Sequence, residues 1–411
     1  MIEPVPPNPA GKHVAIVAHG FVPIYRLKFY QLLNQLSANR YTVFHGPPPS
    51  NTGHSECADM LDFPNAKITN YKLSFLGLTT VYQPVITRIL FGSFDAVVLG
   101  HELKFISTVL LFFFCKIIGK PVLWWGQGFQ KDHDTACRVP FVSEMVAMIK
   151  KAIARWADTY IAYTDMGPEK LTGAGVPKEK IVVVRNTIDM DTQRSLYAKY
   201  VDLDVVKFRN DHNLRPDSIV LLYIGRIYPA KRVEELLYLI DRINSEGLCR
   251  SYVEAIVIGS GPDAEAVRKI GAEIRGIHFL GEIYDQEIIA QYMRIATAVI
   301  IPGGVGLAVN HAFAHGVPVI TRQHNNHGPE LNYIISGVNG LIIEGDFNNF
   351  VHATVEFLNS PECQSRMAVA AYESGKKLSM DFMVKAFDEA VSTAISRKAK
   401  NVAKRADVHV Q

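Results

Sequence analysis

Short apolar runs alternate with amphipathic stretches along most of the chain. Residues 13–18, 41–44, 94–100, 121–125, 159–163 and 181–184 are dense in Val, Ile, Leu and aromatic side chains. Runs of that length, apolar on both faces, predict strands of a doubly covered parallel sheet. Between the first two, Leu27, Tyr30, Leu33 and Leu36 recur at helical spacing, which predicts a helix from near Tyr25 to about Leu36. Helices are also predicted over 105–117 and 140–156. Residues 47–80 read as loops and edge strands. Residues 186–217 are polar and charged with little strand character, and their earlier part reads as a linker. The pattern then restarts, with strands over 219–224, 255–258, 277–280, 298–301 and 319–321 and a helix from Arg232 to about Asn244. A last helix is predicted over about 380–396, followed by a basic tail that reads as disordered. This alternation predicts an α/β protein of two parallel-sheet domains that face each other across a cleft, each pointing its strand ends into it.

Composition agrees with two folded domains. The chain has 411 residues, 48% of them hydrophobic and 20% charged, too many for one ordinary core. A net charge of +3 carries no global nucleic-acid signature. The excess is uneven, with 19 Lys and Arg against 14 Asp and Glu in residues 1–190, a hint of an anionic surface partner. Cys57, Cys115, Cys137, Cys249 and Cys363 lie far apart, without a CxxC pair, as expected in a reducing compartment. The N-terminus lacks a basic segment followed by an apolar run, so no signal peptide is expected.

The longest apolar segment, residues 105–115, is shorter than the ~20 residues of a spanning helix. It reads as a helix buried between sheet and neighbour; the alternative is one that dips into a membrane surface. Residues 141–156 carry an apolar side with Lys150, Lys151 and Arg155 around it. A helix packed on the sheet with a solvated basic edge is the first reading, and an amphipathic helix docking on anionic lipid the second. The expectation is a cytoplasmic protein, peripheral on the inner face of the cytoplasmic membrane if either second reading holds.

Residues 296–341 concentrate the candidate chemistry. Pro302-Gly303-Gly304-Val305-Gly306 breaks the strand, and a small-residue helix from Leu307 to His315 is stopped by Gly316-Val317-Pro318. A glycine turn feeding a helix N-terminus presents unpaired N–H groups and a partial positive charge, which suits nucleotide phosphates. Lys231 is predicted at the start of another helix, where a cation opposes the dipole, as a residue placed for a ligand would. His311 and His315 have the spacing of a zinc-binding helix, with His324 and His327 near enough in sequence to complete a site. The general-base position of that motif is Ala312, and no metal is expected there. Three DxD spellings, at Asp132/Asp134, Asp189/Asp191 and Asp202/Asp204, do not directly follow an apolar strand and read as surface acids.

Gly225-Arg226 with Lys231 five positions on, Gly259-Ser260-Gly261-Pro262, and a strand–glycine–helix ending in Gly316-Val317-Pro318-Val319-Ile320 together resemble the retaining glycosyltransferases of family 4, which have the GT-B fold. The likeness covers nearly all of 210–345 and the layout of 13–190. It implies an N-terminal acceptor-binding Rossmann-like domain over 1–190 and a nucleotide-sugar-binding one over 191–375. Residues 376–411 become a helix returning to the first domain, plus the tail. The activity implied is a hexosyl transfer with retention from a UDP- or GDP-linked sugar, independent of metal and without a cofactor. The implied acceptor is a saccharide or lipid-linked saccharide, as in bacterial surface polysaccharide synthesis. Arg226 and Lys231 would hold the diphosphate, Gly225, Gly261, Gly304, Val305, Gly306 and Leu307 would line the donor, and Glu282, Ile283 and Tyr284 would lie beside the base. His19, Gly20, Arg26, His101 and Gln127 mark strand ends and the first helix in the first domain. Of these, His101 is the candidate sugar or acceptor contact, and Arg26 the candidate for the diphosphate or an anionic acceptor.

The sequence departs from the family at two places. Where members carry two glutamates eight positions apart, this chain has Gly303 and His311. A neutral imidazole at 311 can accept one ribose hydrogen bond; glycine cannot replace the sugar contact. Glu330 is the candidate substitute. The alternatives are a sugar-nucleotide epimerase of the same fold and a non-catalytic relative that binds only.

Overall fold

The computed structural model describes residues 11–17, 20–47, 61–75, 78–128, 140–324 and 326–408. The chain forms two compact units, one holding residues up to Asn186 together with Met380 onward, the other holding Thr187–Ser379.

The sheet of the first unit contains β1 (His13–Val17), β2 (Arg40–His45), β3 (Asn65–Lys67), β6 (Ala96–Gly100), β7 (Val122–Gly126), β8 (Thr159–Ala162) and β9 (Ile181–Val183). Their order is β3-β2-β1-β6-β7-β8-β9, all parallel, and a separate antiparallel hairpin joins β4 (Tyr71–Phe75) to β5 (Leu78–Tyr82). Neighbours on the two sides of β1 are reached in opposite directions along the chain, so the topological switch lies between β1 and β6. The helix Leu27–Leu36 turns Phe29, Tyr30 and Leu33 into the core, as its spacing predicts.

The last helix, Met380–Val408, packs Met383, Phe387 and Val391 on that same face. Phe387 meets Phe29 and Trp125 edge-on at centroid distances of 5.3 and 5.1 Å. Asp388 accepts from Asn39 Nδ2 at 2.8 Å, which fixes the helix lengthwise. Truncating Phe387 to alanine removes the contact shared by both rings, at a cost of about 3–5 kcal/mol. The expected disorder of the basic tail is corrected here, since the helix runs on to Val408. Alanine, lysine and arginine are good helix formers and dominate that stretch.

The sheet of the second unit contains β10 (Ile219–Ile224), β11 (Val253–Ile258), β12 (Ile277–Gly281), β13 (Ala298–Ile300), β14 (Val319–Arg322) and β15 (Gly340–Ile343). The order is β12-β11-β10-β13-β14-β15, parallel throughout, which puts the switch between β10 and β13. Helix Val233–Ser245 buries Leu236, Leu237, Leu239 and Ile240 against it.

The polar stretch read as a linker holds two helices, Met190–Lys199 and Val205–Asp211. Asp189 and Asp204 cap them, accepting from the main-chain N–H of Thr192 and Lys207 at 3.1 and 3.0 Å. Two of the three DxD spellings are thereby spoken for as helix starts; Asp132 and Asp134 lie outside the described residues.

Candidate functional site

The ends of β10, β11 and β13 supply the loops of the second unit's switch point, the place where open parallel sheets bind ligands. After β10, Gly225 adopts a φ of 145°, a conformation L side chains rarely take. The glycine after β11 comes closer still. A Cβ on Gly259 would lie 1.8 Å from the Gly225 carbonyl oxygen, and one on Gly261 2.1 Å from that of Ile227. Ile227 N–H donates to Ser260 at 2.7 Å, and Gly225 N–H donates to Ile258 at 3.0 Å. The two loops interlock through main chain, and glycine is what lets them. Tyr223 Oη then donates to the Arg226 carbonyl at 2.8 Å and sets where that residue starts.

Arg226 and Lys231 converge on one ring. The guanidinium carbon lies 5.7 Å, and Lys231 Nζ 5.6 Å, from the centroid of Tyr228. Lys231 closes a 3-10 turn, Pro229–Lys231, which meets the glycine turn after β13 directly. Gly303 N–H donates to the Lys231 carbonyl at 3.0 Å and Gly304 N–H to that of Ala230 at 2.7 Å. Lys231 Nζ donates back to the Gly304 carbonyl and lies 3.7 Å from where a Cβ on Gly306 would sit. The structure therefore brings Arg226, Lys231, Gly304 and Gly306 to one place.

Burial disfavours the ammonium of Lys231 and lowers its pKa to about 8, against the opposing pull of the Glu330 carboxylate. Glu330 is itself buried at the start of the short helix Pro329–Tyr333. His327 braces the glycine turn, with Nδ1 accepting from Val305 N–H at 3.1 Å and Nε2 donating to the Arg322 carbonyl at 2.8 Å. These bonds fit a neutral ring, and burial lowers its pKa to about 4.

The helix after the turn is Ala308–Ala314, bounded by Leu307 and His315. His311 is half-buried, and burial holds its pKa at about 4, so it is neutral at neutral pH. Its Nδ1 is shielded from solvent and finds no hydrogen-bond partner among the described residues; Arg226 Nε is in the same condition. Buried polar atoms are normally paired, so two orphans at one switch point are ligand-facing candidates. His315 instead contacts Gln193 at 3.2 Å, and His324 contacts Arg232 at 2.6 Å. Glu282 and Tyr284 follow β12, whose Gly281 carbonyl accepts from Gly259 N–H at 2.7 Å; Tyr284 Oη donates to Glu282 at 3.2 Å. Ile283, between them, packs partly against the core.

In the first unit the expected residues are differently placed. His101, after β6, is buried, its Nδ1 2.7 Å from Tyr160 Oη, with a further hydrogen bond to the Lys150 main chain. Burial lowers its pKa to about 3. Gly126 makes room for it, since a Cβ there would come 2.8 Å from the His101 Cβ. Arg26 is enclosed rather than presented outward. Its guanidinium carbon lies 5.0 Å from the ring of Trp125 and 5.5 Å from that of Tyr163, and it donates to Asn186 Oδ1. Gln127 is exposed. Gly20 accepts at its carbonyl from Asn70 Nδ2 at 3.0 Å, and His19 lies outside the described residues.

The sequence points neither to Tyr228 as a site residue nor to the bracing role of His327, which it offers only as a further member of a zinc site. Tyr228 had a usable signal, an aromatic residue two positions after Arg226 and three before Lys231. His327 had none, because its role depends on a long-range bond to Val305.

Two parallel-sheet units with these connections define the GT-B fold. The Anabaena protein HepE, solved with UDP, superposes with a TM-score of 0.66 at 16% identity, covering 93% of this chain and 100% of that one. Sucrose-phosphate synthase from Thermosynechococcus elongatus gives 0.68 at 16% identity, covering 94% and 100%. Residues 218–360 match the family model for group 1 glycosyl transferases. They include Arg226, Lys231, the glycine turn, His311 and Glu330. A D-inositol 3-phosphate glycosyltransferase of Frankia alni is 28% identical over 207 residues, 47% of this chain and 48% of its own length. The chain spans about half the length of the first curated relatives it matches.

Proposed function

We propose that the protein is a retaining glycosyltransferase that moves a hexosyl group from a UDP- or GDP-linked donor to a saccharide or lipid-linked saccharide. Its setting is bacterial surface polysaccharide synthesis at the cytoplasmic face of the membrane. The observation that supports this best is the convergence of Arg226 and Lys231 on Tyr228 beside Gly304 and Gly306. HepE, a neighbour in fold, has been solved with UDP and glucose, which supports a nucleotide-sugar donor.

In this reading the acceptor hydroxyl attacks the anomeric carbon on the face the diphosphate leaves. The bond from that carbon to the diphosphate oxygen breaks, its electron pair stays with the diphosphate, and the hydroxyl proton passes to a diphosphate oxygen. The two cations stabilise the charge that develops there, so the charge is met by protein rather than by metal. His311 accepts from a ribose hydroxyl, and the Glu330 carboxylate favours the charged form of Lys231. Titration calorimetry with UDP and with GDP tests the site, and donor turnover with and without added saccharide tests the reaction. Heat from neither nucleotide would remove the reading; binding without any donor hydrolysis would leave a binder only.

A further inference from the structure

Two helices of the first unit turn apolar side chains towards solvent. Helix Ile106–Ile117 buries Ser107, Thr108, Leu111, Phe112 and Cys115 and leaves Leu110, Phe113, Phe114 and Ile117 at the surface. Those four positions form one stripe at helical spacing. A helix facing water carries polar groups on its outer face. Here the hydroxyls are inside, and Ile117 is 78% exposed. The expectation of a helix buried between sheet and neighbour is corrected accordingly.

Helix Pro140–Trp156 continues the patch. Trp156, 52% exposed, meets Phe113 edge-on at 5.8 Å, and Met145, Met148 and Ile149 are exposed on the same helix. Along the two helices Lys151 and Arg155 are exposed together with Glu144, while Lys116 is paired with Asp158 at 2.9 Å and Lys150 is buried. No helix among the described residues is long and apolar enough to cross a membrane. Anionic headgroups meet both the exposed cations and the apolar stripe, and a second copy of the chain is the alternative occupant that the test below separates.

We infer that this face lies on a bilayer containing anionic phospholipid. Phe113, Phe114, Ile117 and Trp156 reach the boundary of the acyl chains, and Lys151 and Arg155 meet headgroup phosphates. The inference goes beyond the function proposed above and stands on the first unit alone; the donor site lies in the other unit.

Flotation of the full chain with phosphatidylcholine vesicles, with and without phosphatidylglycerol, tests it. The chain should float with the phosphatidylglycerol vesicles and less with phosphatidylcholine alone. The double substitution Phe114→Glu, Ile117→Glu should cut the floated fraction by at least about tenfold while circular dichroism and UDP binding hold. Wild-type chain that stays at the bottom with both vesicle types overturns the inference, as does an unchanged double variant. A dimer that the double variant converts to monomer assigns the patch to a second copy instead. Loss of UDP binding with flotation intact would remove the donor reading and leave this surface standing.

Discussion

The ammonium of Lys231 donates to the carbonyl oxygen of Gly304, across a seam that the N–H groups of Gly303 and Gly304 already close from the other side. The lysine is therefore fixed at the glycine turn before a ligand arrives, and little reorganisation is left for the reaction. A diphosphate offers it a charge-assisted bond stronger than the one to a neutral carbonyl. Lys231→Ala should lower kcat/KM by an amount equivalent to about 3–4 kcal/mol, with the thermal melt retained. Arg226→Ala should do the same. Unchanged steady-state rates in both variants would take the pair away from the diphosphate.

The same lysine sets a pH dependence. Its pKa is lowered to about 8, so it is charged below that pH and neutral above it. Donor affinity should accordingly be level up to about pH 7 and fall as pH rises through 8, the cation being what attracts the phosphates. Lys231→Arg keeps its charge throughout this range and should flatten the profile even if the absolute affinity drops. Calorimetric titration of nucleotide from pH 6 to 9.5 reads both. A wild-type affinity that rises across that interval contradicts the assignment.

Gly303 stands where the resemblance to the family 4 enzymes would put a glutamate, and the turn leaves no space for a side chain there. A Cβ there would lie 2.1 Å from the Ala230 carbonyl oxygen and 2.7 Å from the Lys231 carbonyl carbon. Gly303→Glu should therefore push the 3-10 turn and Lys231 away from Gly304, weakening nucleotide binding and lowering the melting midpoint by several degrees, equivalent to about 1–3 kcal/mol. Tighter donor binding by the variant would show that the turn can open.

How far the site was legible follows from the range of the contacts that build it. Strands and the helices at 27–36 and 233–245 were readable because period and burial agree locally. Arg226, Lys231 and the glycine turn were readable as a spaced set. The helices after Asp189 and Asp204 were hidden in polar sequence, since capping rather than hydrophobic periodicity starts them. Arg26 reads from its place near the start of the first helix as a cation for the diphosphate or an anionic acceptor, yet Trp125 and Tyr163, both far along the chain, enclose it. The outward apolar face of helix 106–117 has the composition of a core helix, and composition alone does not say which side is wet.

His311 separates ligand contact from packing. Its Nδ1 is shielded and has no partner among the described residues, while the ring is held neutral by burial. His311→Ala should raise the donor KM about tenfold, with kcat and the melting midpoint little changed, as expected when one hydrogen bond to a bound hydroxyl is lost. A lowered midpoint with an unaltered KM would assign the ring to packing.

Arg26 ties together the two places where the chain passes between units. It donates to Asn186, the last residue before the crossing to Thr187, and its Nη1 lies 3.7 Å from Sδ of Met383, just after the chain re-enters at Met380. The cation–ring contacts with Trp125 and Tyr163 and the charge-assisted bond to the amide together are worth about 2–4 kcal/mol. Arg26→Ala should lower the unfolding free energy of the first unit by that amount, read from urea titration followed by tryptophan fluorescence, with the midpoint falling accordingly. Arg26→Lys should not restore it, because a compact ammonium can neither lie along the rings nor reach both crossings. Nucleotide affinity under native conditions should be unaffected, since Lys231 and the glycine turn belong to the other unit. An unchanged midpoint together with lost nucleotide affinity would instead make Arg26 a ligand contact.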